Sequence, residues 1–154
     1  MQFDTTRTEL GELLYQVKYQ HDYQKIQDMI DAIGNFVVGT FLGRVDCVIP
    51  VPPTQKRTVQ HLGIIAEEIA KLLHCGYAGS VLSNKSDGAA KDNQSQRNIV
   101  QTVFASSPHN ILLVDDIINT GETANACVDV LRKDRYINKV YFLALTARKR
   151  SAWR

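Results

Sequence analysis

Two segments near the start of the chain carry apolar residues at intervals of three and four, the spacing of one face of a helix. These are residues 10–17 and residues 26–33. The second helix is expected to continue to about Gly43, with an end or a bend at Gly34, because apolar pairs recur beyond that glycine. The polar and aromatic residues 18–22 between the two patterns predict a turn.

Short apolar runs alternate with a helical pattern in the middle of the chain. Residues 46–51 and 80–83 predict two buried strands, and the first is expected to end at its prolines, which donate no ladder hydrogen bond. The helix predicted between them covers about residues 59–74. Strand, helix and strand at this spacing form a β-α-β unit, which implies parallel strands and a right-handed crossover. Residues 99–104 and 139–146 predict further strands.

One stretch combines several kinds of chemistry. Four apolar residues, 111–114, lead into Asp115 and Asp116, and a short apolar step then leads into a small polar turn that contains Gly121. The apolar residues after the turn have helical spacing. The stretch therefore predicts a buried strand, an acidic edge, a tight loop and the N-terminus of a helix, where free N–H groups and the helix dipole favour a phosphate. Carboxylates suit hydroxyl groups, so a ligand with a sugar diol and a phosphate is expected.

Other interpretations of the acidic pair are weaker. Asp115 and Asp116 alone would be typical of a turn cap and a surface charge. Receiver domains also carry acidic residues after an apolar strand, but near the start of the fold, whereas this pair lies late in the chain. The glycine patterns of a P-loop and of a dinucleotide-binding loop are both absent from the sequence.

Composition and charge restrict the class of protein. The chain has 154 residues, which suits one domain, and 44% hydrophobic and 22% charged residues are ordinary for a globular protein. A net charge of +2 gives no overall attraction to nucleic acid, although the basic residues 148–154 could contact nucleic acid or an acidic partner. No apolar run is long enough to span a membrane, and the three cysteines lack metal-binding spacing. We expect a reduced, cytoplasmic protein.

The residues support a specific resemblance. Residues 111–123 resemble the motif by which type I phosphoribosyltransferases bind 5-phosphoribosyl-1-pyrophosphate (PRPP). Residues 49–57, Ile-Pro-Val-Pro-Pro-Thr-Gln-Lys-Arg, are similar to a segment of ComF-type proteins, the competence-associated branch of that superfamily. Residues 14–22 resemble the segment that follows the zinc finger in those proteins, although no cysteine-rich finger precedes them here. The resemblance covers about residues 10–150.

The resemblance implies an α/β fold of the type I phosphoribosyltransferase class, with a central, mainly parallel sheet flanked by helices and a small helical N-terminal hood. It implies a single domain, with the hood in residues 1–44, the α/β core in residues 45–147 and a basic tail in residues 148–154. It also implies that Asp115 and Asp116 hold the ribose hydroxyls and act in catalysis. The 5′-phosphate would be bound by Asn119, Thr120, Gly121, Glu122 and Thr123. The pyrophosphate would contact Pro53, Thr54, Gln55, Lys56 and Arg57, with Mg²⁺ bound through the ligand near the acidic pair.

Several positions leave alternatives open. Asn119 and Glu122 differ from the residues common in the motif, and the Glu122 carboxylate would compete with a phosphate unless it points away. Residues 84–98 form either a mobile lid over the reacting centre or a plain connector, and their candidate phosphate contacts are Lys85, Lys91 and Arg97.

Three further residues have two interpretations each. His61 either approaches the pyrophosphate or is a surface or capping residue. Lys18 and Tyr19 either line the acceptor side of the site or are a lysine at a helix end and a packed tyrosine.

Two functions are consistent with these features. The first is an enzyme that transfers the phosphoribosyl group of PRPP to an unidentified acceptor and releases pyrophosphate. The second is a non-catalytic module that senses PRPP or a nucleotide and acts through a protein partner in DNA uptake or regulation. A homodimer is compatible with either.

Overall fold

The protein is described here by a computed structural model that covers residues 8–53, 61–85 and 98–147. Its helices are α1 (Glu9–Tyr19), α2 (Lys25–Phe41), α3 (His61–Leu72) and α4 (Glu122–Leu131). Its strands are β1 (Cys47–Pro50), β2 (Gly76–Tyr77), β3 (Leu82–Asn84), β4 (Ile99–Gln101), β5 (His109–Ile118) and β6 (Ile137–Ala147).

The main sheet has the strand order β2-β1-β5-β6, and every neighbouring pair in it is parallel. This confirms the α/β class and the central, mainly parallel sheet. A second, two-stranded sheet joins β3 to β4 in antiparallel orientation. The polar segment of residues 84–98 thus connects β3 to β4. At the two ends of this segment, the Lys85 N–H donates a hydrogen bond to the Asn98 carbonyl.

The second strand of the β-α-β unit differs from the prediction, which was wrong. The parallel partner of β1 is β2, whereas the strand predicted at residues 80–83 corresponds to β3 and belongs to the small sheet. A strand of two exposed residues has no apolar pattern to recognise. Val81 and Leu82, which follow β2 in the chain, are buried in the hydrophobic cluster on the other face of the main sheet. Their apolar character therefore predicted a strand at residues 80–83, whereas β2 itself was not recognised.

Three other element boundaries differ from the prediction, whereas α2 runs through Gly34 to Phe41, close to the expected end near Gly43. Helix α1 continues to Tyr19 and so includes the first residues of the predicted turn. Strand β5 continues beyond the acidic pair to Ile118 because β6 pairs with it as far as Ala147. Strand β4 ends at Gln101 instead of continuing to Phe104, whose side chain is exposed.

The core forms on both faces of the main sheet. On one face, Val48, Leu112 and Val114 pack with buried residues of α1, α2 and α3. On the other face, Ile49, Val51, Ile111 and Leu113 pack with α4 and with the small sheet. Alternate strand residues point to opposite faces, so a strand with helices on both sides becomes apolar throughout, as residues 111–114 are.

Within the described residues, no helix is both long enough and apolar enough to cross a membrane.

Candidate functional site

The acidic pair lies where β5 extends beyond the end of its neighbour β1. The last pairing between β1 and β5 joins Pro50 to Val114, and the Val51 N–H still donates to the Val114 carbonyl at 2.8 Å. Strand β5 goes on to Asp115 and Asp116, which β6 continues to support from the other side. The pair therefore lies at the carboxyl edge of the sheet, beside the space left by the end of β1, where open α/β sheets bind ligands.

Two adjoining cavities meet at this edge. The larger is a cleft of about 460 Å³ between the carboxyl ends of β1 and β5, and the smaller, of about 150 Å³, lies over the loop before α4. Asp115, Ile117 and Thr123 line both cavities. A ligand that spans the two cavities would therefore pass the acidic pair midway.

The smaller cavity is built from the loop that begins α4. Gly121 precedes the first helical residue with φ +85° and ψ 0°, a left-handed conformation that favours glycine. The Asn125 N–H donates to the Gly121 carbonyl at 2.9 Å, which fixes the first turn of the helix. The Glu122 N–H lies 3.3 Å from the Thr120 hydroxyl oxygen, a long hydrogen bond that a stronger acceptor could replace. This cavity has the N–H groups and the dipole direction that a phosphate requires.

Backbone donors and one lysine hold the two carboxylates. Oδ1 of Asp115 accepts from the Asp116 N–H at 2.8 Å, and Oδ1 of Asp116 accepts from the Ile117 N–H at 2.7 Å. The Lys18 ammonium of α1 lies 2.9 Å from Oδ2 of Asp116, and the two side chains are only 11% and 22% exposed. The Thr146 hydroxyl of β6 donates to the Asp116 carbonyl at 3.0 Å. Three separate elements thus fix Asp116.

These surroundings separate the acidities of the two carboxyl groups. Burial raises the pKa of Asp115 to about 7, and the hydrogen bond and negative charge of Asp116 act in the same direction. Burial also opposes ionisation of Asp116, but the hydrogen bond and charge of Lys18 outweigh it and hold the pKa of Asp116 below its usual range. Near neutral pH, Asp116 is therefore ionised, while Asp115 exists in both protonation states. The pair can accept hydrogen bonds and also donate one.

The structure brings most of the predicted residues together. Asp115, Asp116, Thr123 and Pro53 line the larger cleft, and Asn119, Thr120, Gly121 and Glu122 line the smaller cavity. His61 is buried at the start of α3 and lines the cleft, as does Lys18, whereas the Tyr19 side chain is 60% exposed. Lys85 is exposed and does not belong to the cleft lining. Thr54, Gln55, Lys56, Arg57, Lys91, Arg97 and the basic tail lie outside the described residues.

The wall of the cleft opposite the acidic pair contains residues that were not predicted from the sequence. Tyr77, Gly79 and Leu82 line it, together with Gly63 of α3. A Cβ atom at Gly79 would lie 2.5 Å from the Tyr77 hydroxyl oxygen, and one at Gly63 would lie 3.0 Å from it, so the phenol in this position packs closely against both glycines. Strand β2, which supports this tyrosine, was not predicted, so no sequence signal linked Tyr77 to the site.

The acidic pair offers carboxylate oxygens, which are the donors that Mg²⁺ prefers. Lys18 already occupies one oxygen of Asp116. This arrangement fits a Mg²⁺ ion that arrives on the phosphates of a ligand near the pair better than one enclosed by protein side chains. Across residues 8–53, 61–85 and 98–147, no group of three or more His, Cys, Asp or Glu side chains could hold a metal ion.

Comparison with solved structures finds the same architecture. Adenine phosphoribosyltransferase from Saccharomyces cerevisiae superposes with a TM-score of 0.59 at 16% identity, over 84% of this chain and 72% of that one. A hypoxanthine phosphoribosyltransferase from Staphylococcus aureus gives 0.54 at 15% identity, over 85% and 70%. Phosphoribosylpyrophosphate synthetase from Mycobacterium smegmatis gives 0.52 at 18% identity, over 76% of this chain and 32% of that one. No protein-family model and no curated protein matches the sequence.

The chain therefore has the type I phosphoribosyltransferase fold, with an acidic pair and a glycine-containing loop at the carboxyl edge of its parallel sheet. The fold occurs both in phosphoribosyltransferases and in a phosphoribosylpyrophosphate synthetase. The fold alone consequently does not define the reaction, which depends on the residues of the site.

Proposed function

We propose that this protein binds PRPP with Mg²⁺ and transfers its phosphoribosyl group to an acceptor, with release of pyrophosphate. One observation carries the proposal: Asp115 of the acidic pair lines both of two adjoining cavities, one over a helix N-terminus and one, which Asp116 also lines, against the proline end of β1. PRPP has a phosphate at one end, a diol in the middle and a pyrophosphate at the other end. The order of chemical groups in the ligand therefore matches the order of groups in the site.

Each part of the ligand has a partner of suitable chemistry in this proposal. The 5′-phosphate would accept hydrogen bonds from the N–H groups of residues 119–123 and from the Thr120 and Thr123 hydroxyls. The ribose hydroxyls would donate to Asp116 and exchange hydrogen bonds with Asp115. The pyrophosphate would lie against Pro53, within reach of Thr54, Gln55, Lys56 and Arg57 as the resemblance implies.

The reaction would need stabilisation of positive charge at the sugar. As pyrophosphate leaves, C1′ becomes cationic, and the carboxylates beside the ribose would stabilise that charge electrostatically. Mg²⁺, when bound with PRPP, would neutralise part of the charge of the leaving pyrophosphate. The mixed protonation of the acidic pair suits two hydroxyl groups, because the pair presents acceptors and one donor.

Calorimetric titration with PRPP and Mg²⁺ tests this proposal. We expect binding by the wild type and a loss of at least about tenfold in Asp115→Asn and in Asp116→Asn, because each change removes charge-assisted hydrogen bonds. Asp129→Asn is the matched control, since Asp129 is an exposed aspartate of α4. No binding of PRPP, ribose 5-phosphate or a nucleoside monophosphate by the wild type would refute the proposal. Pyrophosphate release across a panel of bases and amines would identify the acceptor class.

One observation favours a second function. The Glu122 side chain lines the phosphate cavity and is exposed. A carboxylate at this position opposes a second anion, so weak binding without turnover is also consistent with the site. In that case the protein would be a ComF-type module that senses PRPP or a nucleotide and acts through a partner. Binding without pyrophosphate release, together with tighter binding by Glu122→Gln, would favour the sensing function.

A further inference from the structure

The contact between α1 and β5 joins the helical N-terminal region to the acidic pair. Lys18 lies in the last turn of α1, and its ammonium contacts Oδ2 of Asp116 at 2.9 Å. The lysine side chain is 11% exposed, whereas the ion pairs of Lys25 and Lys71 involve side chains that are 38% and 71% exposed. Water screens a partly buried pair much less than it screens an exposed one. Of these three ion pairs, the one between Lys18 and Asp116 therefore has the strongest electrostatic effect on neighbouring groups.

Several elements are needed to hold this lysine in place. Leu14 and Val17 of the same helix are buried in the core, and α1 packs against α2 and approaches β6. The Thr8 hydroxyl accepts from the Gly11 N–H at 3.0 Å and caps the helix. Because the helix is anchored on its apolar face, the Lys18 side chain reaches the cleft from a fixed position. The Lys18 ammonium is thus held at the cleft by the fold itself, without any ligand.

The contact leaves the carboxylate accessible to a ligand. A carboxylate offers about four lone-pair positions. Lys18 uses one on Oδ2, the Ile117 N–H uses one on Oδ1 and the Asp115 carboxyl uses a third when it is protonated, so Asp116, which lines the cleft, keeps at least one acceptor position. A diol can therefore bind without displacing the lysine.

We propose that Lys18 is a positioning residue for the acidic pair: it orients Asp116 towards the cleft and offsets its negative charge, so that an anionic sugar phosphate binds beside it. This inference rests on the proposed function, because it assigns Lys18 a role in the same ligand site. Without the ammonium, two adjacent carboxyl groups would face a phosphorylated ligand with no cation between them. Lys18 acts on Asp116 and is not itself required to touch the ligand.

Other groups near the pair also titrate. Cys127 of α4 is close enough to Asp115 for the carboxylate to add to the effect of burial, and together they raise the pKa of the thiol to about 12. His61 of α3 and Tyr77 of β2 line the same cleft. None of these groups carries a fixed positive charge at neutral pH. Among the described residues of the cleft lining, Lys18 is the permanent cation.

Ribose 5-phosphate is a suitable probe because it carries the diol and the phosphate but lacks the pyrophosphate. We expect Lys18→Met to bind it about tenfold more weakly than the wild type at pH 7, the loss typical of a charge-assisted contact. The loss should grow towards pH 9, where both carboxyl groups of the variant are ionised. Lys18→Arg should bind nearly as well as the wild type, because it restores the charge. Lys71→Met is the matched control, since it removes the same group from an exposed pair on α3.

A measurement without ligand separates this inference from the proposed function. Carbon-13 NMR follows the aspartate carboxyl groups with pH, and Asp115→Asn and Asp116→Asn assign the two signals. In the wild type, one carboxyl should titrate below its ordinary range and the other near pH 7, whereas in Lys18→Met both titrations should move to higher pH. This result would support the role of Lys18 even if no phosphoribosyl ligand binds.

Two results would overturn the inference. In the first, folded Lys18→Met binds ribose 5-phosphate as the wild type does and shows the same two carboxyl titrations. In the second, Lys18→Met binds the ligand more tightly, which would mean that the lysine competes with the diol. Failure of the wild type to bind any phosphoribosyl ligand would refute the proposed function instead, and the carboxyl titrations would still decide what Lys18 does to Asp116.

Discussion

Gly121 allows a quantitative test of the loop that begins α4. Its φ of +85° lies in the left-handed region, and the nearest atom to a Cβ there would be Nδ2 of Asn125 at 4.0 Å. Gly121→Ala therefore creates no clash, and its cost is the backbone strain of an L-residue, about 1–2 kcal/mol. For a domain of this size, each kcal/mol lowers the melting temperature by about 2–4 °C.

Two other glycines of the chain serve as controls. Gly43 has φ +79° and open space around it, but it lies in the turn before β1, at the opposite end of the sheet from the cleft. Gly39 lies inside α2 with no atom within 4 Å of an added Cβ. Gly43→Ala should cost the same 1–2 kcal/mol as estimated for Gly121. Gly39→Ala should stabilise the protein by about 0.5–1 kcal/mol, because alanine favours a helix over glycine.

Urea denaturation and titration with ribose 5-phosphate together distinguish the three variants. Gly121→Ala should lose stability and also bind the ligand roughly tenfold more weakly, because relief of the strain would turn the loop N–H groups away from the phosphate. Gly43→Ala should lose stability only. If Gly121→Ala were as stable as the wild type, or if Gly43→Ala reduced binding to the same degree, the assignment of residues 119–123 as a preformed phosphate loop would be wrong.

Two predictions concern stability and pH. The pKa of Asp115 is raised from 3.8 to about 7, so its contribution to stability is fully present below about pH 3.8 and is lost as pH rises from there through about 7. In thermal denaturation, Asp115→Asn should therefore become more stable relative to the wild type as pH rises from 5 to 8, and an unchanged difference across that range would contradict this. The buried Asp134 carboxylate accepts hydrogen bonds from the Ala105 N–H at 2.9 Å, the Tyr136 N–H at 3.0 Å and the Gln101 amide at 2.9 Å. These bonds, led by that of Ala105, hold the pKa of Asp134 below its usual range, so its contribution to stability is present at neutral pH and is lost in acid, as pH falls through that lowered pKa. Asp134→Ala should cost about 1–3 kcal/mol at pH 7, with less difference from the wild type in acid; an equal urea midpoint at pH 7 would contradict this.

The local features of the site were predictable because they depend on residues close together in sequence. An apolar run, two carboxylates and a glycine before a helical pattern predict a strand, an acidic edge and a helix N-terminus wherever the chain folds. The structure has these elements as β5 and α4, and the two aspartates lie at the edge of the sheet. The parallel sheet was predictable for a similar reason, since a helix of this length between two strands favours a crossover.

The errors arose where a residue's role depends on distant parts of the chain. Strand β2 has only two residues, and it is a strand because it pairs with β1. Two residues are too few to show the alternation of apolar and polar positions by which a strand is recognised in a sequence. The same omission hid Tyr77, which reaches the cleft from the end of that strand. Likewise, β5 runs on past Asp116 only because β6 supplies partners for it.

By itself, therefore, the sequence determined the fold class and the acidic and small-residue chemistry of the site. The tertiary structure alone decided how these groups act on one another. It places the Lys18 ammonium on Asp116, almost a hundred residues later in the chain, whereas no ammonium among the described residues forms an ion pair with Asp115. Two neighbouring residues of the same type thereby acquire different protonation states, because burial and distance to a charge are properties of the folded molecule.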